Sequence, residues 1–267
     1  MPVSNRQTPM ISVARFLRNV ASPNPDRRLS ALGIVANWLL PDYRLTWHQM
    51  DWWKDQQFNE YLNRFNERGG FNTHRRWMLW QLLRLISDVP GDTAECGVFE
   101  GSSSWLICTA VRSKDRRHHL FDSFEGLSSP DPEDGQYWRS GALAAGEDLV
   151  ARNLAGFESM LVFHKGWIPE RFDEVQNEQF AFVHIDVDLR QPTIDSVEFF
   201  YPRLSTGGIL LCDDYGCTTC PGATQAIDRF LVGKPEKMIS LDGGGGFLIK
   251  GKSTAEQHSP LVPASEQ

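Results

Sequence analysis

The sequence lacks any apolar run long enough to cross a membrane. A transmembrane helix needs roughly 18 to 20 apolar residues in succession, whereas the best candidate, Leu29–Leu40, is shorter and contains Ser30 and Asn37. The N-terminal segment also lacks the apolar core and small-residue cleavage site of a secretory signal. We therefore expect a soluble, cytoplasmic protein that has no membrane partner.

Clustered positive charge is also missing. The 267 residues carry 27 basic and 34 acidic side chains, which gives a net charge of −7. A nucleic-acid-binding surface requires a concentrated basic patch, so we expect no nucleic-acid partner. Hydrophobic residues make up 41% of the chain, which is enough to bury a sizeable core in one large domain with an extra segment.

Cysteine is scarce, and its spacing does not indicate a structural zinc site. Cys217 and Cys220 form a C-x-x-C pair, but no second pair or histidine partner at a suitable spacing accompanies it. The remaining three, Cys96, Cys108 and Cys212, lie in apolar runs and are predicted to be small core residues.

The N-terminal third is rich in Trp, Arg, Leu and Phe at helical spacing. Trp77, Trp80, Leu83 and Ile86 recur at intervals of three, which indicates the stripe of an amphipathic helix. We assign residues 1–88 to a helical N-terminal extension that packs in an oligomer or shapes a substrate site. A homo-oligomer, a dimer or larger, is therefore expected.

From Gly91 onward, short apolar runs alternate with helical stretches. This alternation predicts βαβ units and a mostly parallel, Rossmann-like α/β sheet with helices on both faces. Two last short runs flank the turn Gly243–Gly246 and predict a closing hairpin with an antiparallel strand. We place the catalytic domain at residues 89–252 and a polar tail at 253–267.

Ligands of open parallel sheets bind beyond the carboxyl ends of the strands, and the first such end carries an acid, glycines and serines. An acid there suits a ligand with an ammonium group, such as S-adenosylmethionine, while glycines let the backbone approach closely and serines cap the next helix. The dinucleotide fingerprint G-x-G-x-x-G is missing. The predicted cofactor contacts in this segment are Glu95, Gly97, Gly101, Ser102 and Ser103.

Two further strand ends fit the same nucleoside ligand. Asp122, beside Ser123, ends the second predicted strand, where an acid accepts hydrogen bonds from ribose hydroxyls. Gly166 and Trp167 follow the third strand and are placed to line an adenine pocket, although a tryptophan there is equally typical of core packing.

The densest group of acids follows the fourth and fifth predicted strands. Such a concentration of carboxylates is unfavourable unless a cation neutralises it, and ligands that are all oxygen suit Mg²⁺. His184 lies on the fourth strand, either as a proton acceptor or as a packed core histidine. The acids are Asp186, Asp188, Asp213 and Asp214.

The connection Gly126–Gly146 is long for a strand-to-helix link. It contains two prolines and the aromatic residues Tyr137 and Trp138. We interpret it as a lid over the site, with a disordered insertion as the alternative.

Taken together, these segments resemble the macrocin and mycinamicin O-methyltransferase family. The resemblance covers roughly Gly91 to Val232 and rests on the order and spacing of six segments: AECGVFEGSSS, LFDSFEGL, HKGWIPE, HIDVDL, FFYPRLSTGGILLCDDYG and PGATQAIDRF. It implies a class I methyltransferase fold with a seven-stranded sheet, and methyl transfer from S-adenosylmethionine to a hydroxyl, often on a sugar of a natural product, with Mg²⁺.

The resemblance also implies roles for individual residues. Asp186, Asp213 and Asp214 would bind the metal, and Asp186 would also belong to the cofactor and catalytic sets. The cofactor contacts implied are Glu95, Gly97, Ser102, Ser103, Asp122, Ser123 and Trp167. Arg190 stands where the family commonly has tyrosine, which favours an acidic or phosphorylated acceptor or is simply a surface change.

The expected mechanism is in-line displacement, in which the metal lowers the pKa of the acceptor hydroxyl and Asp188 or His184 takes its proton. Three alternatives stay open from the sequence. One is a metal-independent methyltransferase acting on a small phenol or other acceptor. The others are a nicotinamide-dependent oxidoreductase and a non-catalytic scaffold.

Overall fold

The computed structural model describes residues 13–39, 55–67, 72–112 and 115–254. The chain divides into two compact units, Met1–Lys54 and Asp55–Gln267. In the first unit, helices α1 (Val13–Val20) and α2 (Pro25–Leu39) pack against each other. The predicted boundary at residues 88 and 89 stays a prediction, and most of the predicted polar tail lies outside the described residues.

The second unit contains one seven-stranded sheet in the order β3-β2-β1-β4-β5-β7-β6. Strands β1 to β5 are parallel, whereas β7 runs antiparallel to both β5 and β6. The predicted mostly parallel sheet and closing hairpin are thereby confirmed. The strands are β1 (Asp92–Cys96), β2 (His118–Asp122), β3 (Leu161–Lys165), β4 (Phe180–Ile185), β5 (Leu204–Cys212), β6 (Ile239–Ser240) and β7 (Gly246–Ile249).

Helices α3 to α8 accompany this sheet. No helix among the described segments is long and apolar enough to span a bilayer. The helices are α3 (Gln56–Arg64), α4 (Thr73–Leu82), α5 (Ser102–Val111), α6 (Glu147–Asn153), α7 (Arg190–Phe200) and α8 (Pro221–Phe230).

The predicted amphipathic stripe spans the end of α4 and the 3-10 turn Leu83–Ile86 that follows it. Three residues per turn is the period of a 3-10 helix, which explains why the stripe repeats at intervals of three. Trp80, Leu83 and Ile86 are buried, and Trp77 packs edge-on against Phe58.

The two faces of the central strands differ in chemistry because side chains alternate along a strand. One face is apolar: side chains such as Ala94 and Ile185 pack in one cluster with Val197 of α7 and Ile227 of α8. The other face buries polar groups, which are Thr93, Glu95, His118 and His184. This sheet face therefore carries a buried polar network next to the carboxyl ends of the strands, where a ligand would bind.

Strand order reverses between β1 and β4, because the chain passes from β1 to β2 on one side and from β4 to β5 on the other. Gly97 follows β1 in the left-handed region (φ 82°). A Cβ atom there would lie 1.8 Å from the carbonyl oxygen of Asp186. Only glycine therefore fits where the ends of β1 and β4 meet, at the place where doubly wound sheets bind ligands.

Candidate active site

Asp122 braces the glycine-containing turn between β1 and α5. Its Oδ2 accepts backbone hydrogen bonds from Val98 (2.7 Å) and Phe99 (3.1 Å), and its Oδ1 accepts one from Phe124 (2.7 Å). A carboxylate has about four acceptor sites, so the half-buried Asp122 keeps capacity for ribose hydroxyls while it fixes the turn. Gly101 caps α5 with a φ of 81°.

The serines predicted to contact a cofactor differ in their accessibility. Ser102 is half-buried at the start of α5, and Ser103 is buried. Ser123 is buried in a turn, where its Oγ donates to the carbonyl of Gly126 and accepts from the amide of Glu125, both at 3.0 Å. Ser102 is thus the most accessible of the three to an outside ligand.

Glu95 is fully buried and is held by protein groups on several sides. Its carboxylate contacts His184 Nδ1 at 2.8 Å, accepts a hydrogen bond from Ser104 and lies 3.7 Å from His118 Nε2. Burial raises the pKa of Glu95, but hydrogen bonds from His118 and His184 outweigh burial and hold that pKa below its usual range. As placed, Glu95 serves this internal network and does not face an outside ammonium group.

His184 lies between two carboxylates without access to solvent. Nδ1 meets Glu95, and Nε2 is 3.7 Å from Asp213 Oδ1. Burial lowers the pKa of His184, but the interactions with Asp213 and Glu95 raise it to about 9. A protonated imidazole has no free acceptor nitrogen, so this arrangement favours the packed core histidine over the proton acceptor.

The predicted acids come together because β4 and β5 are parallel neighbours. Asp186 follows β4, Asp213 and Asp214 follow β5, and the amide of Asp188 donates to Asp214 Oδ2 at 2.8 Å. Ligand atoms of Asp186, Asp213 and His184 all lie within 4.8 Å of one another, as do those of Asp188, Asp214 and Cys220. The expectation that the two strand ends bring their carboxylates together is confirmed.

Two arginines of α4 neutralise part of this acidic group. Arg76 is buried, and its guanidinium contacts Asp213 Oδ1 at 3.1 Å and Asp186 Oδ2 at 3.2 Å. Arg75 contacts Asp213 Oδ2 at 2.6 Å. We did not predict these residues from the sequence. The available signal was that Arg76 lies four residues before Trp80 on the apolar side of α4, where an arginine requires a buried acidic partner.

The acids at the two strand ends differ in the direction of their pKa shifts. Arg76 and Arg75 overcome the effect of burial and lower the pKa of Asp213. Burial and the negative charge of Asp186 raise the pKa of Asp188 to about 7. Burial and the charge of Asp188 likewise raise the pKa of Asp214. Within the described segments, ion pairs reach Asp186 and Asp213 but not Asp188 or Asp214.

The three predicted metal ligands are divided between the two groups: Asp186 and Asp213 lie with His184, and Asp214 lies with Asp188 and Cys220. The donors at Asp186, Asp213 and Asp214 are all carboxylate oxygens, the ligands that Mg²⁺ prefers. Asp214 accepts the Asp188 amide, and burial together with the neighbouring acids raises its pKa, so a bound cation would favour its ionised form.

The end of β3 supplies an accessible aromatic ring. The Gly166 amide donates to the carbonyl of Asp122 at 3.0 Å, which holds the turn beside the end of β2. Trp167 retains 36% of its surface exposed. An exposed ring does not fit core packing, so the geometry favours a ring that lines a ligand pocket.

The long connection Gly126–Gly146 docks beside the acids, which favours the interpretation as a lid. Asp134 is buried in a 3-10 turn and accepts the Arg190 amide at 2.6 Å. The Arg190 side chain lies 3.6 Å from Asp131 and 3.4 Å from Glu133. Arg190 thus binds acidic groups of its own chain at the start of α7.

The connection is also attached at a second point. Trp138 Nε1 donates to the Cys220 sulfur at 3.3 Å, and the Cys220 thiol lies 3.6 Å from Asp188 Oδ1. The aromatic segment predicted to cover the site therefore contacts a residue that touches the acidic group.

Comparison with known proteins agrees with this geometry. Residues 81–248 match the macrocin O-methyltransferase family (TylF). The chain is 30% identical, over 68% of its length and 73% of the other protein, to 8-demethyl-8-(2,3-dimethoxy-alpha-L-rhamnosyl)-tetracenomycin-C 4'-O-methyltransferase of Streptomyces olivaceus. It is also 30% identical, over 60% of its length and 66% of the other protein, to demethyldecarbamoylnovobiocin O-methyltransferase of Streptomyces niveus.

Among solved structures, the O-methyltransferase NovP superimposes with a TM-score of 0.56 at 25% identity, covering 67% of this chain and 81% of the other. The family match spans β1 to β7 and includes both carboxylate-bearing strand ends. The segments on which the sequence resemblance rests form the glycine turn after β1 and the acidic ends of β4 and β5 in this structure. The chain therefore belongs to the macrocin O-methyltransferase family and is a methyltransferase.

Proposed function

We propose that the protein transfers the methyl group of S-adenosylmethionine to a hydroxyl on a sugar of a natural product, with Mg²⁺ held by Asp186, Asp213 and Asp214. The observation that carries the proposal is the carboxylate group at the ends of β4 and β5, next to the glycine turn after β1. The rhamnosyl group in the name of the Streptomyces olivaceus relative supports a sugar acceptor.

The cofactor would lie over the turn after β1. Gly97 and Gly101 adopt positive φ there, which lets the backbone approach a ligand closely. Asp122 would accept the ribose hydroxyls with its remaining acceptor sites, and Trp167 would cover the adenine. Glu95 would act indirectly, since its buried carboxylate holds His184 and Ser104 beneath the turn.

The three predicted metal ligands would offer a hard cation carboxylate oxygens, which are the donors that Mg²⁺ prefers. A bound Mg²⁺ would lower the pKa of an acceptor hydroxyl and orient its oxygen. Arg75 and Arg76 contact Asp213 and lower its pKa, which favours the ionised form of this one acid.

Asp188 is our candidate for the proton acceptor. Its pKa of about 7 is close to that of an effective general base at neutral pH. Asp188 would accept the proton of the acceptor hydroxyl as that oxygen attacks the methyl carbon and the carbon–sulfur bond breaks. Asp188 is held at a positive φ of 58°, an uncommon backbone conformation for a residue other than glycine.

Calorimetric titration with S-adenosylmethionine and its demethylated product, with Mg²⁺ or with a chelator, tests the cofactor first. Micromolar binding supports the proposal, and no binding under either condition contradicts it. Methyl transfer to a panel of rhamnosides and other glycosides then tests the acceptor.

The metal is tested with Asp213→Asn and Asp214→Asn, using Asp195→Asn on α7 as the matched control. We expect the first two variants, and chelation of the wild type, to abolish transfer while the control retains it. Full activity in the presence of chelator would instead support the metal-independent alternative. The family match favours methyl transfer over the nicotinamide and scaffold alternatives.

Self-association and a cytoplasmic location stay predictions. Sedimentation of the purified chain at several concentrations measures the first directly, and a constant monomer mass would contradict it.

A further inference from the structure

The turn between β5 and α8 brings two thiols together. The Cys220 amide donates to the Cys217 carbonyl at 3.1 Å, which closes a four-residue turn with the two cysteines at its ends. Both are free thiols. Such a turn keeps the Cα atoms of its first and last residues within about 7 Å, the upper limit of the Cα separation that a disulfide spans.

The two thiols differ in exposure and surroundings. Cys217 is half-buried, whereas Cys220 is buried. The guanidinium of Arg75 acts electrostatically on Cys217. A cysteine that is partly exposed beside a positive charge reacts readily with oxidants. We therefore expect an oxidant in solution to react with Cys217 before it reacts with Cys220.

Cys220 connects this pair to the acidic group. Its sulfur accepts from Trp138 Nε1 at 3.3 Å, and its S–H donates to Asp188 Oδ1 at 3.6 Å. The Cys220 thiol thus contacts both the long connection Gly126–Gly146 and the candidate proton acceptor.

We propose that Cys217 and Cys220 are a redox-active dithiol that low-molecular-weight disulfides oxidise, and that the resulting disulfide lowers methyl-transfer activity. The part concerning activity rests on the proposed function, whereas the formation of the disulfide does not.

The reaction balances by thiol–disulfide exchange. Cys217, as a thiolate, attacks one sulfur of the small disulfide, forms a mixed disulfide and releases one thiol. Cys220 then attacks the Cys217 sulfur and releases the second thiol. Two protein thiols are oxidised, one small disulfide is reduced to two thiols, and the protons of Cys217 and Cys220 end on those released thiols.

Oxidation changes the hydrogen bonds that the Cys220 sulfur makes with its neighbours. A disulfide sulfur carries no proton, so Asp188 loses the S–H donor. The sulfur also moves toward Cys217, which weakens the hydrogen bond from Trp138. We therefore expect activity to fall roughly tenfold, as the loss of one hydrogen bond to a charged group would predict.

The test uses the full chain equilibrated in buffers of reduced and oxidised glutathione, followed by alkylation, intact mass measurement and peptide mapping. We expect an internal disulfide between Cys217 and Cys220, seen as the loss of two hydrogen atoms and of two alkylatable thiols. Dithiothreitol should reverse it. Full alkylation of both residues in the most oxidising buffer, or only a glutathione adduct, would overturn the proposed dithiol.

Activity is then measured in the same buffers. Cys217→Ser should retain basal activity and lose its sensitivity to oxidation, whereas Thr218→Ala, between the two cysteines, should remain as sensitive as the wild type. Unchanged activity in fully oxidised wild-type protein would overturn the regulatory part. Because mass and alkylation require no methyl acceptor, failure of this proposal and failure of the proposed function are distinguishable.

Discussion

Arg76 connects the ends of two neighbouring strands: an N–H of one terminal guanidinium nitrogen donates to Asp186 Oδ2, and an N–H of the other donates to Asp213 Oδ1. The arginine belongs to α4, which precedes the sheet in the chain, whereas the two aspartates follow β4 and β5. A helix before the sheet thereby supplies positive charge to an acidic group formed more than a hundred residues later.

Removing this connection should destabilise the protein as well as inactivate it. Arg76→Met keeps most of the side-chain volume but leaves Asp186 and Asp213 without their shared partner. Removing one partner of a buried ion pair costs about 3–5 kcal/mol. We expect the free energy of unfolding, measured by urea denaturation, to fall by that amount. The exposed Arg84 of the following turn provides the control Arg84→Met, which should change stability by less than about 0.5 kcal/mol.

Gly97→Ala should disrupt the meeting point of β1 and β4. The added Cβ would lie 1.8 Å from the Asp186 carbonyl oxygen, so the backbone at Asp186 has to move. Gly233→Ala is the matched control, since Gly233 also has positive φ (74°) but nothing within 4 Å of an added Cβ. The control should lose about 1–2 kcal/mol and keep activity, while Gly97→Ala should lose both more stability and cofactor binding by calorimetry.

The pair of Glu95 and His184 should make stability depend on pH. The folded pKa of Glu95 lies below its unfolded value of about 4.3, so its contribution is present above that pH and lost as pH falls. The folded pKa of His184, about 9, lies above its unfolded value of about 6.5, so its contribution is full below 6.5 and lost as pH rises through about 9.

The pair therefore contributes fully between roughly pH 5 and 6.5. Glu95→Gln should lower the free energy of unfolding by about 3 kcal/mol in this window and by less at pH 9. Urea denaturation at pH 5.5, 7.5 and 9 measures the difference, with the exposed Glu125→Gln as control. A constant difference across these pH values would contradict the assignment.

Arg190→Gln should loosen the connection Gly126–Gly146. The variant loses the contacts with Asp131 and Glu133 but keeps the backbone hydrogen bond to Asp134. We expect faster limited proteolysis within 126–146 and a higher KM for the acceptor, with a change in folding stability below about 1 kcal/mol. Arg229→Gln, on the exposed side of α8, should match the wild type. Unchanged proteolysis would show that Asp134 and Trp138 hold the segment without Arg190.

The sequence by itself determined the sheet and the acids at its edge. Apolar runs alternating with helical stretches predict a parallel sheet, and parallel strands place their carboxyl ends on one edge, so acids that follow β4 and β5 meet without further information. The same logic placed Gly97 at the end of the first strand as a glycine that lets the backbone approach a ligand, whereas its close approach to Asp186 comes from the structure. These conclusions follow from local periodicity and a general rule of topology.

Only the tertiary structure decided which groups neutralise the acids and which way each side chain points. Glu95 is the next-to-last residue of β1. Because side chains alternate between the two faces of a strand, its carboxylate lies on the sheet face that also carries His184. Arg76 reaches Asp213 across 137 positions in sequence, a pairing that no local pattern encodes. The contact of Trp138 with Cys220 likewise depends on how a long connection docks, because packing between distant segments is set by the whole fold and not by neighbouring residues.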